Sequence, residues 1–169
     1  LPHLLHVFSA GNAGNKAAGI GTYAGLNAVA NLTGSFKMAK NILTVGAVDS
    51  FGITGPLSSR GPAYDGRLKP ELTAFGQEGT SEAAALVSGI ALLGQQACSD
   101  RNNHALPPAA LVKAALVAGA TDAGAPGPDY QNGFGLVNGI NAIATVLDNR
   151  YFIDSASNGA ESTFSFTLP

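Results

Sequence analysis

The stretch that decides the fold runs from Gly79 to Cys98 and reads GTSEAAALVSGIALLGQQAC. Small and apolar residues occupy nearly every position as far as Leu93, and most of them favour helix, so the stretch predicts one long helix from Ser81 to Cys98. Because the pattern is apolar almost all round, we expect this helix to be buried at the centre of the molecule. Ser81 then lies at its N-terminus, where free N–H groups and the helix dipole favour negative charge.

Apolar runs upstream of this helix predict short strands. Residues 42–48 (ILTVGAV) form a continuous, largely β-branched run, which is typical of a strand buried on both faces of a parallel sheet. Residues 4–10 (LLHVFSA) predict a second strand, and residues 71–74 a third that begins after Pro70, a position where a missing N–H is tolerated. Residues 11–41, rich in Gly, Ala and Asn, predict a loop with a short helical turn.

Two shorter helices are predicted downstream, which gives an α/β fold with a mostly parallel sheet. The first opens at Pro107-Pro108, with Pro at the first helical position, and points Lys113 outward. The second follows the Gly-Phe-Gly turn at residues 133–135. The expected apolar stripes are Leu111, Val112, Ala115 and Leu116 in the first helix and Val137, Ile140, Ala144 and Leu147 in the second.

Composition limits the functional classes. The 169 residues are enough for one domain with a hydrophobic core, but only 12% are charged, about half the usual share. With a net charge of −2 there is no basic stripe to neutralise phosphates, so we exclude a nucleic-acid binder. No apolar run approaches the roughly 20 residues of a membrane span. A charge-poor surface with 22 glycines fits many secreted hydrolases, and we expect a secreted or cell-surface protein.

Metal and thiol chemistry has little support in the sequence. The single cysteine, Cys98, excludes an internal disulfide and a multi-thiolate metal site, and we expect it to be a core residue. We expect no catalytic metal; a structural calcium ion is a candidate only at Asp122, Asp129 and Asn132, which are loosely spaced in a Gly/Pro loop. The cationic residues Arg60 and Lys69 are expected to form ion pairs on the surface.

Five short motifs carry the functional signal because they occur together and in order. Each alone is weak, but the set resembles the subtilase family of subtilisin-like serine peptidases over about residues 4–147. A further stretch at residues 130–138 (YQNGFGLVN) is similar to the family's G-x-G-x-V-N segment. The five motifs are Ala10-Gly11-Asn12, TVGAVD at residues 44–49, SSRGP at residues 58–62, Lys69-Pro70-Glu71 and Gly79-Thr80-Ser81.

The resemblance implies a partial subtilisin-like fold and a serine endopeptidase that cleaves polypeptides through an acyl-enzyme. A serine hydroxyl needs a neighbouring base and a place for the developing O⁻. By resemblance, Ser81 is the nucleophile and the Asn12 side chain is an oxyanion donor beside the Ser81 N–H. The residues expected to bind substrate are Ser9, Ala10, Gly11, Gly79 and Thr80.

The base of such a site is a His held by an Asp, and in the family's chain order both precede the Asn and the Ser. His3 and His6 lack the family's H-G-T-H setting, and His104 lies in a polar loop. We therefore expect residues 1–150 to be the C-terminal portion of a peptidase domain, inactive alone, with Asp and His on an upstream segment. Residues 151–169 are expected to be a linker and the first strand, at 162–168, of a further β-domain. Exposed sheet edges would favour oligomerisation.

Departures from the family pattern leave a second function open. Glu82 and Ala85 stand where the family usually has Met and Pro, and only residues 77–78 remain where many relatives have a longer loop. The alternative is a catalytically dead subtilase-like scaffold or binding domain. Ser81 would then be a plain N-cap, Asn12 part of an Asx-turn, and Glu82 a carboxylate favoured by the helix dipole.

Overall fold

A computed structural model describes residues 2–154 and 157–165 of the chain. Within those ranges the fold is α/β, as predicted, with a three-stranded parallel sheet in the order β1-β2-β3 and helices packed against it. A short 3₁₀ turn at Ser35–Met38 interrupts the long loop after β1. The elements are β1 His6–Ser9, β2 Ile42–Val48, β3 Leu72–Phe75, α1 Thr80–Arg101, α2 Ala109–Ala118 and α3 Gly139–Leu147.

The sheet is built around β2, whose seven residues are all buried, as its apolar run predicted. Its register pairs Val45 with Ser9 of β1 on one side and with Leu72 of β3 on the other. Because all three strands run in the same direction, their carboxyl ends meet at one edge of the sheet. Asn12 follows β1 at this edge and α1 starts from it after β3, so the topology brings the two motifs together.

Helix α1 packs on one face of this sheet and forms the main core with it, closed by residues of α2 and α3. The core residues are Leu43, Val45, Ala47, Leu72 and Ala74 from the sheet, Ala83, Ala84, Val87 and Ala91 from α1, Val112 and Leu116 from α2, and Ala142 from α3.

The expectation that α1 is buried on all sides is wrong. Its outer face exposes Leu86 at 45%, Leu92 at 65% and Leu93 at 59% of their surface. The helix is apolar all round, as its sequence shows, but the sheet and α3 cover only part of its circumference. An apolar helical face left in solvent is unfavourable, and such faces often mark interaction surfaces.

The apolar stripe predicted for α2 is confirmed, whereas the stripe predicted for α3 is wrong. The four apolar residues predicted for α2 are all buried. In α3 the buried residues are Ala142 and Val146, whereas Ile140 is 82% exposed and Leu147 is also exposed. Both sets have helical spacing, and spacing alone does not decide which face meets α1 and α2.

The tail follows α3 without regular structure in its described part. Residues 162–165 form no strand, in contrast to the strand expected over 162–168, and residues 166–169 lie outside the described ranges. The rings of Phe152 and Phe164 contact each other with centroids 4.8 Å apart. None of the described helices has the length and apolar content needed to span a membrane.

Candidate active site

A glycine turn places Asn12 at the carboxyl edge of the sheet. The Ala10 N–H still donates to the Val45 carbonyl at 2.8 Å, so the chain stays in register one residue beyond β1. Gly11 then takes a φ of 112°, a left-handed conformation that favours glycine, and a Cβ there would lie 2.2 Å from Thr33 Oγ1. Beyond this turn the Asn12 side chain is exposed.

Gly79 allows the Asn12 amide to approach the start of α1. Its φ is 127°, and a Cβ at this position would lie only 2.8 Å from Asn12 Nδ2. Any larger residue would push the amide away. The glycine of the G-T-S motif is therefore needed for contact with Asn12 as well as for its backbone conformation.

Thr80 fixes the orientation of the Asn12 amide. The Thr80 N–H and the Thr80 hydroxyl both donate to Asn12 Oδ1 at 3.0 Å, and the same hydroxyl accepts from the Gly11 N–H at 3.0 Å. Because a backbone N–H can only donate, it must face the oxygen and not the nitrogen of the amide. Nδ2 therefore points away from Thr80, and it makes no hydrogen bond to any residue in 2–154 or 157–165.

Ser81 is the second residue of α1 and is exposed. Its N–H belongs to the first turn, whose N–H groups have no partner inside the helix. The N-cap of α1 is Gly79, so the alternative in which Ser81 is the N-cap is wrong. The Asx-turn alternative is also wrong, because the Asn12 side chain bonds to a residue 68 positions away. With respect to the part of the chain that the structure describes, the site thus holds a hydroxyl and two kinds of N–H donor without a hydrogen-bond partner.

Glu82 is exposed and its carboxylate is held by the turn in front of the helix. Oε2 accepts from the Glu78 N–H at 3.1 Å. This contact closes the short loop between β3 and α1. It agrees with the structural interpretation of Glu82 as a first-turn carboxylate near the positive end of the helix dipole.

The predicted substrate-binding residues occupy different environments. Ala10 and Thr80 are buried at 0% and 1% exposure and present almost no surface to a peptide. Ser9 is half-buried, and its hydroxyl accepts from Lys37 Nζ at 3.5 Å. Burial lowers the pKa of Lys37, a residue that no sequence motif had placed at this edge. A role of these residues in substrate binding stays a prediction.

The three histidines of the chain lie away from Ser81. His6 begins β1 at the opposite edge of the sheet, and His3 Nδ1 is 3.0 Å from the Pro107 carbonyl oxygen beside the start of α2. His104 follows the far end of α1, whose 22 residues span about 33 Å. The described site therefore contains the Ser81 hydroxyl and N–H donors but no imidazole base.

The candidate calcium loop closes on itself. Asp129 Oδ1 accepts from the N–H groups of Gln131 and Asn132 at 2.6 and 2.7 Å, and Asp122 Oδ2 accepts from the Gly127 N–H at 2.9 Å. The Asn132 side chain bonds the Thr54 hydroxyl. Among the described residues, His, Cys, Asp and Glu form no cluster of three or more that could hold a metal ion.

A charged cluster at the amino edge of the sheet was missed by the sequence analysis. Lys69 is 1% exposed, and Arg60 forms no ion pair among the described residues, so the surface pairing expected for both is wrong. Lys69 Nζ donates to Glu71 Oε1 at 2.6 Å and to Thr44 Oγ1 at 3.1 Å. Lys113, expected to face outward, donates to the same oxygen at 2.8 Å. Burial lowers the pKa of Lys69, while the hydrogen bond to Glu71 opposes the shift. The i, i+2 spacing of Lys69 and Glu71 in extended chain was the available signal.

The Ser81 hydroxyl and the Asn12 amide thus lie together at the carboxyl edge of a parallel sheet in an α/β fold. The sequence profile of the subtilase family matches residues 3–135, most of the chain, and the chain belongs to that family.

Solved structures agree with this assignment. The prenylagaramide maturation protease PagA is 25% identical, with a TM-score of 0.64 over 85% of this chain and 50% of its own. The patellamide maturation protease PatA is 24% identical, with a TM-score of 0.64 over 87% of this chain and 52% of its own. A lanthipeptide protease is 23% identical, with a TM-score of 0.57 over 82% of this chain and 50% of its own. The likenesses to PatA and to the lanthipeptide protease show the fold. The chain spans about half the length of each of the three proteins.

Proposed function

We propose that this chain is the C-terminal part of the catalytic domain of a subtilisin-like serine endopeptidase, with Ser81 as nucleophile. Asn12 Nδ2 and the Ser81 N–H are the oxyanion donors. The observation that carries the proposal is the pair of hydrogen bonds from Thr80 to Asn12 Oδ1, at 3.0 Å each, which leave Nδ2 unbonded beside the start of α1. Donors oriented before the substrate arrives are what an oxyanion hole requires.

The reaction follows from these roles. Ser81 Oγ attacks the carbonyl carbon of a peptide bond while its proton passes to a histidine base, and the carbonyl oxygen becomes an oxyanion held by Nδ2 and the N–H. Collapse breaks the C–N bond, and the protonated base gives its proton to the leaving amine. Water then hydrolyses the Ser81 ester by the same steps and releases the second product.

The base and its aspartate belong, in this proposal, to a further segment of polypeptide, so the chain alone is inactive. Two surfaces support such a segment. The outer edge of β3 is covered, because Thr73 bonds residues 135 and 137, but the outer edge of β1 has no strand partner in the described ranges. Leu86, Leu92 and Leu93 on α1 are exposed as well. An open strand edge and an exposed apolar helical face are each suited to contact with more chain; oligomerisation through the open edge stays a prediction.

A fluorophosphonate probe, which reacts with activated serines, tests the proposal. We expect the natural gene product that contains this chain to be labelled at Ser81, and the isolated 169-residue chain to remain unlabelled. Ser81→Ala should abolish labelling, whereas the matched control Ser88→Ala should retain it, since the Ser88 hydroxyl only bonds the Ala84 carbonyl within α1.

Either contrary result is informative. Labelling of the isolated chain at Ser81 would show that a local group such as Glu82 replaces the histidine. No labelling of the complete gene product would favour the second function, a catalytically dead scaffold. The substrate class we propose is polypeptide; the solved relatives named as maturation proteases make a peptide precursor a suitable first substrate. A location outside the cell remains part of the proposal and rests on the low charge alone.

A further inference from the structure

Lys37 lies in the 3₁₀ turn between β1 and β2, and its side chain reaches back to the carboxyl end of β1. Its Nζ donates to Thr33 Oγ1 at 2.7 Å and to Ser9 Oγ at 3.5 Å. The Thr33 N–H in turn bonds the Ala10 carbonyl at 3.1 Å. The ammonium group is therefore held against the last residues of the strand that leads to Asn12.

This position is close to the proposed oxyanion hole. A Cβ on Gly11 would overlap the Thr33 hydroxyl, which is the same group that Lys37 Nζ bonds. A single hydroxyl group thus separates the ammonium from Gly11, the residue immediately before Asn12. A peptide whose carbonyl oxygen is bound by Asn12 Nδ2 would carry the side chain of that same residue next to this end of β1.

The charge of Lys37 has no counter-ion within residues 2–154 and 157–165. By contrast, the ammonium groups of Lys69 and Lys113 both bond Glu71. The described partners of Lys37 are two neutral hydroxyls, whereas an ammonium group has three donors. Burial lowers the pKa of Lys37, because partial loss of water disfavours its charged form. A partly desolvated cation without a counter-ion is suited to receive a carboxylate from outside the chain.

We propose that Lys37 determines the specificity of the protease by binding an acidic side chain on the substrate residue that contributes the scissile carbonyl. The inference rests on the proposed proteolysis at Ser81 and adds its substrate class, which is peptides cleaved after glutamate or aspartate. A carboxylate accepts a charge-assisted hydrogen bond from the ammonium, and a neutral glutamine forms a weaker one. A basic side chain at this position is disfavoured, because two cations repel each other in a partly desolvated site.

Rates of peptide hydrolysis by the complete gene product test this specificity. Ac-Ala-Ala-Glu-, Ac-Ala-Ala-Gln- and Ac-Ala-Ala-Lys-aminomethylcoumarin differ only in the side chain that would face Lys37. We expect kcat/KM for the glutamate peptide to exceed that for the glutamine peptide at least about tenfold, as a hydrogen bond to a charged group allows, and the lysine peptide to be slowest. Lys37→Gln should reduce the glutamate-to-glutamine ratio to about one, because the charge is lost. Lys37→Glu should reverse the order of the glutamate and lysine peptides, and Lys37→Arg should keep the preference for glutamate.

The matched control is Lys40→Gln, which removes the same charge from an exposed side chain at the amino end of β2. It should keep the wild-type ratio. Competition of the same peptides with the fluorophosphonate for Ser81 measures the ratio a second time and does not depend on turnover.

The contrary outcomes separate this inference from the proposed function. Equal results for the glutamate and glutamine peptides, in an enzyme that is labelled at Ser81, would overturn the inference and leave the proposed function intact. They would indicate that an acidic residue of the further segment neutralises Lys37. A glutamate preference that persists in Lys37→Gln would overturn the inference too. Absence of both labelling and hydrolysis would overturn the proposed function, and the inference with it.

Discussion

Two polar clusters lie at opposite edges of the same sheet and differ in how their hydrogen bonds are used. In the amino-edge cluster (Thr44, Lys69, Glu71 and Lys113) the two ammonium groups share one oxygen of Glu71, and the Thr44 N–H bonds its other oxygen. In the carboxyl-edge cluster (Asn12, Thr80 and Ser81) only Thr80 is buried, and Asn12 Nδ2 has no partner among the described residues.

This difference separates the group that holds the fold from the group that can do chemistry. Buried charges that are fully paired are costly to break, because removal of one partner leaves the others charged and desolvated. Exposed donors that are oriented but unbonded contribute little to stability and are available to a substrate. Substitutions at the two edges should therefore affect different measurements.

The largest expected effect is that of Ser81→Ala in the complete catalytic domain. We expect kcat to fall by about 10⁶, the loss known for the nucleophile of subtilisin, with no change in the urea midpoint because the hydroxyl makes no described hydrogen bond. Peptide hydrolysis and urea denaturation measure the two quantities. Ser88→Ala should keep its activity; a similar loss in that control would contradict the assignment of Ser81.

The second effect concerns the amino edge. Glu71→Gln leaves Lys69 buried without its counter-charge, and we expect the free energy of unfolding to drop by about 3–5 kcal/mol in urea denaturation. The control Asp65→Asn removes the exposed partner of Arg67 and should leave the midpoint nearly unchanged. Equal stability of Glu71→Gln and wild type would mean that the buried cluster does not hold this edge.

The third effect concerns the carboxyl edge and the Asn12 side-chain amide. In the complete domain, Asn12→Ala should lower kcat about 10²–10³-fold with KM little changed, the magnitude known for removal of this donor from subtilisin. Asn12→Asp keeps the acceptor for Thr80 and replaces only the donor, so it should lose at least as much activity while retaining more stability. An active Asn12→Asp variant would rule out the oxyanion role.

A pH effect at the amino edge should be smaller. Burial lowers the pKa of Lys69 below 10.5, so the folded chain releases this proton at lower pH than the unfolded chain. In that window the unfolded state binds more protons, and stability linked to Lys69 rises with pH. Unfolding free energies of wild type and Lys69→Met, compared from pH 7 towards 10.5, should show the wild type gaining on the variant. A constant difference would contradict the shift.

The smallest expected effect concerns Glu82, beside the nucleophile. Its negative charge opposes the growing oxyanion, so Glu82→Gln, which keeps an acceptor for the Glu78 N–H, should raise kcat/KM of the complete domain about two- to fivefold at neutral pH. Measurement of peptide hydrolysis by both proteins tests this expectation. Unchanged or lower activity of Glu82→Gln would assign Glu82 a structural or catalytic role instead.

Local sequence patterns were sufficient to predict the helices and strands and the approach of the Asn12 motif to the G-T-S motif. The run at residues 42–48 predicted β2 to the residue, and the G-T-S motif before an apolar stretch predicted the start of α1 within one residue. Such signals depend on neighbours in the chain, since β-branched residues favour strands and unbranched apolar ones favour helices. The approach of Asn12 to α1 also followed, because parallel strands share a carboxyl edge.

What the sequence by itself determined is therefore the fold class, the family and the candidate nucleophile and oxyanion residues. Only the tertiary structure decided which apolar faces are covered, as on α1 and α3, and where the charges go, as for Lys69, Lys113 and Arg60. The physical reason is that burial and ion pairing depend on residues distant in the chain. Lys113 meets Glu71 across 42 positions, and Thr80 orients Asn12 across 68. No periodicity within a single segment contains that information.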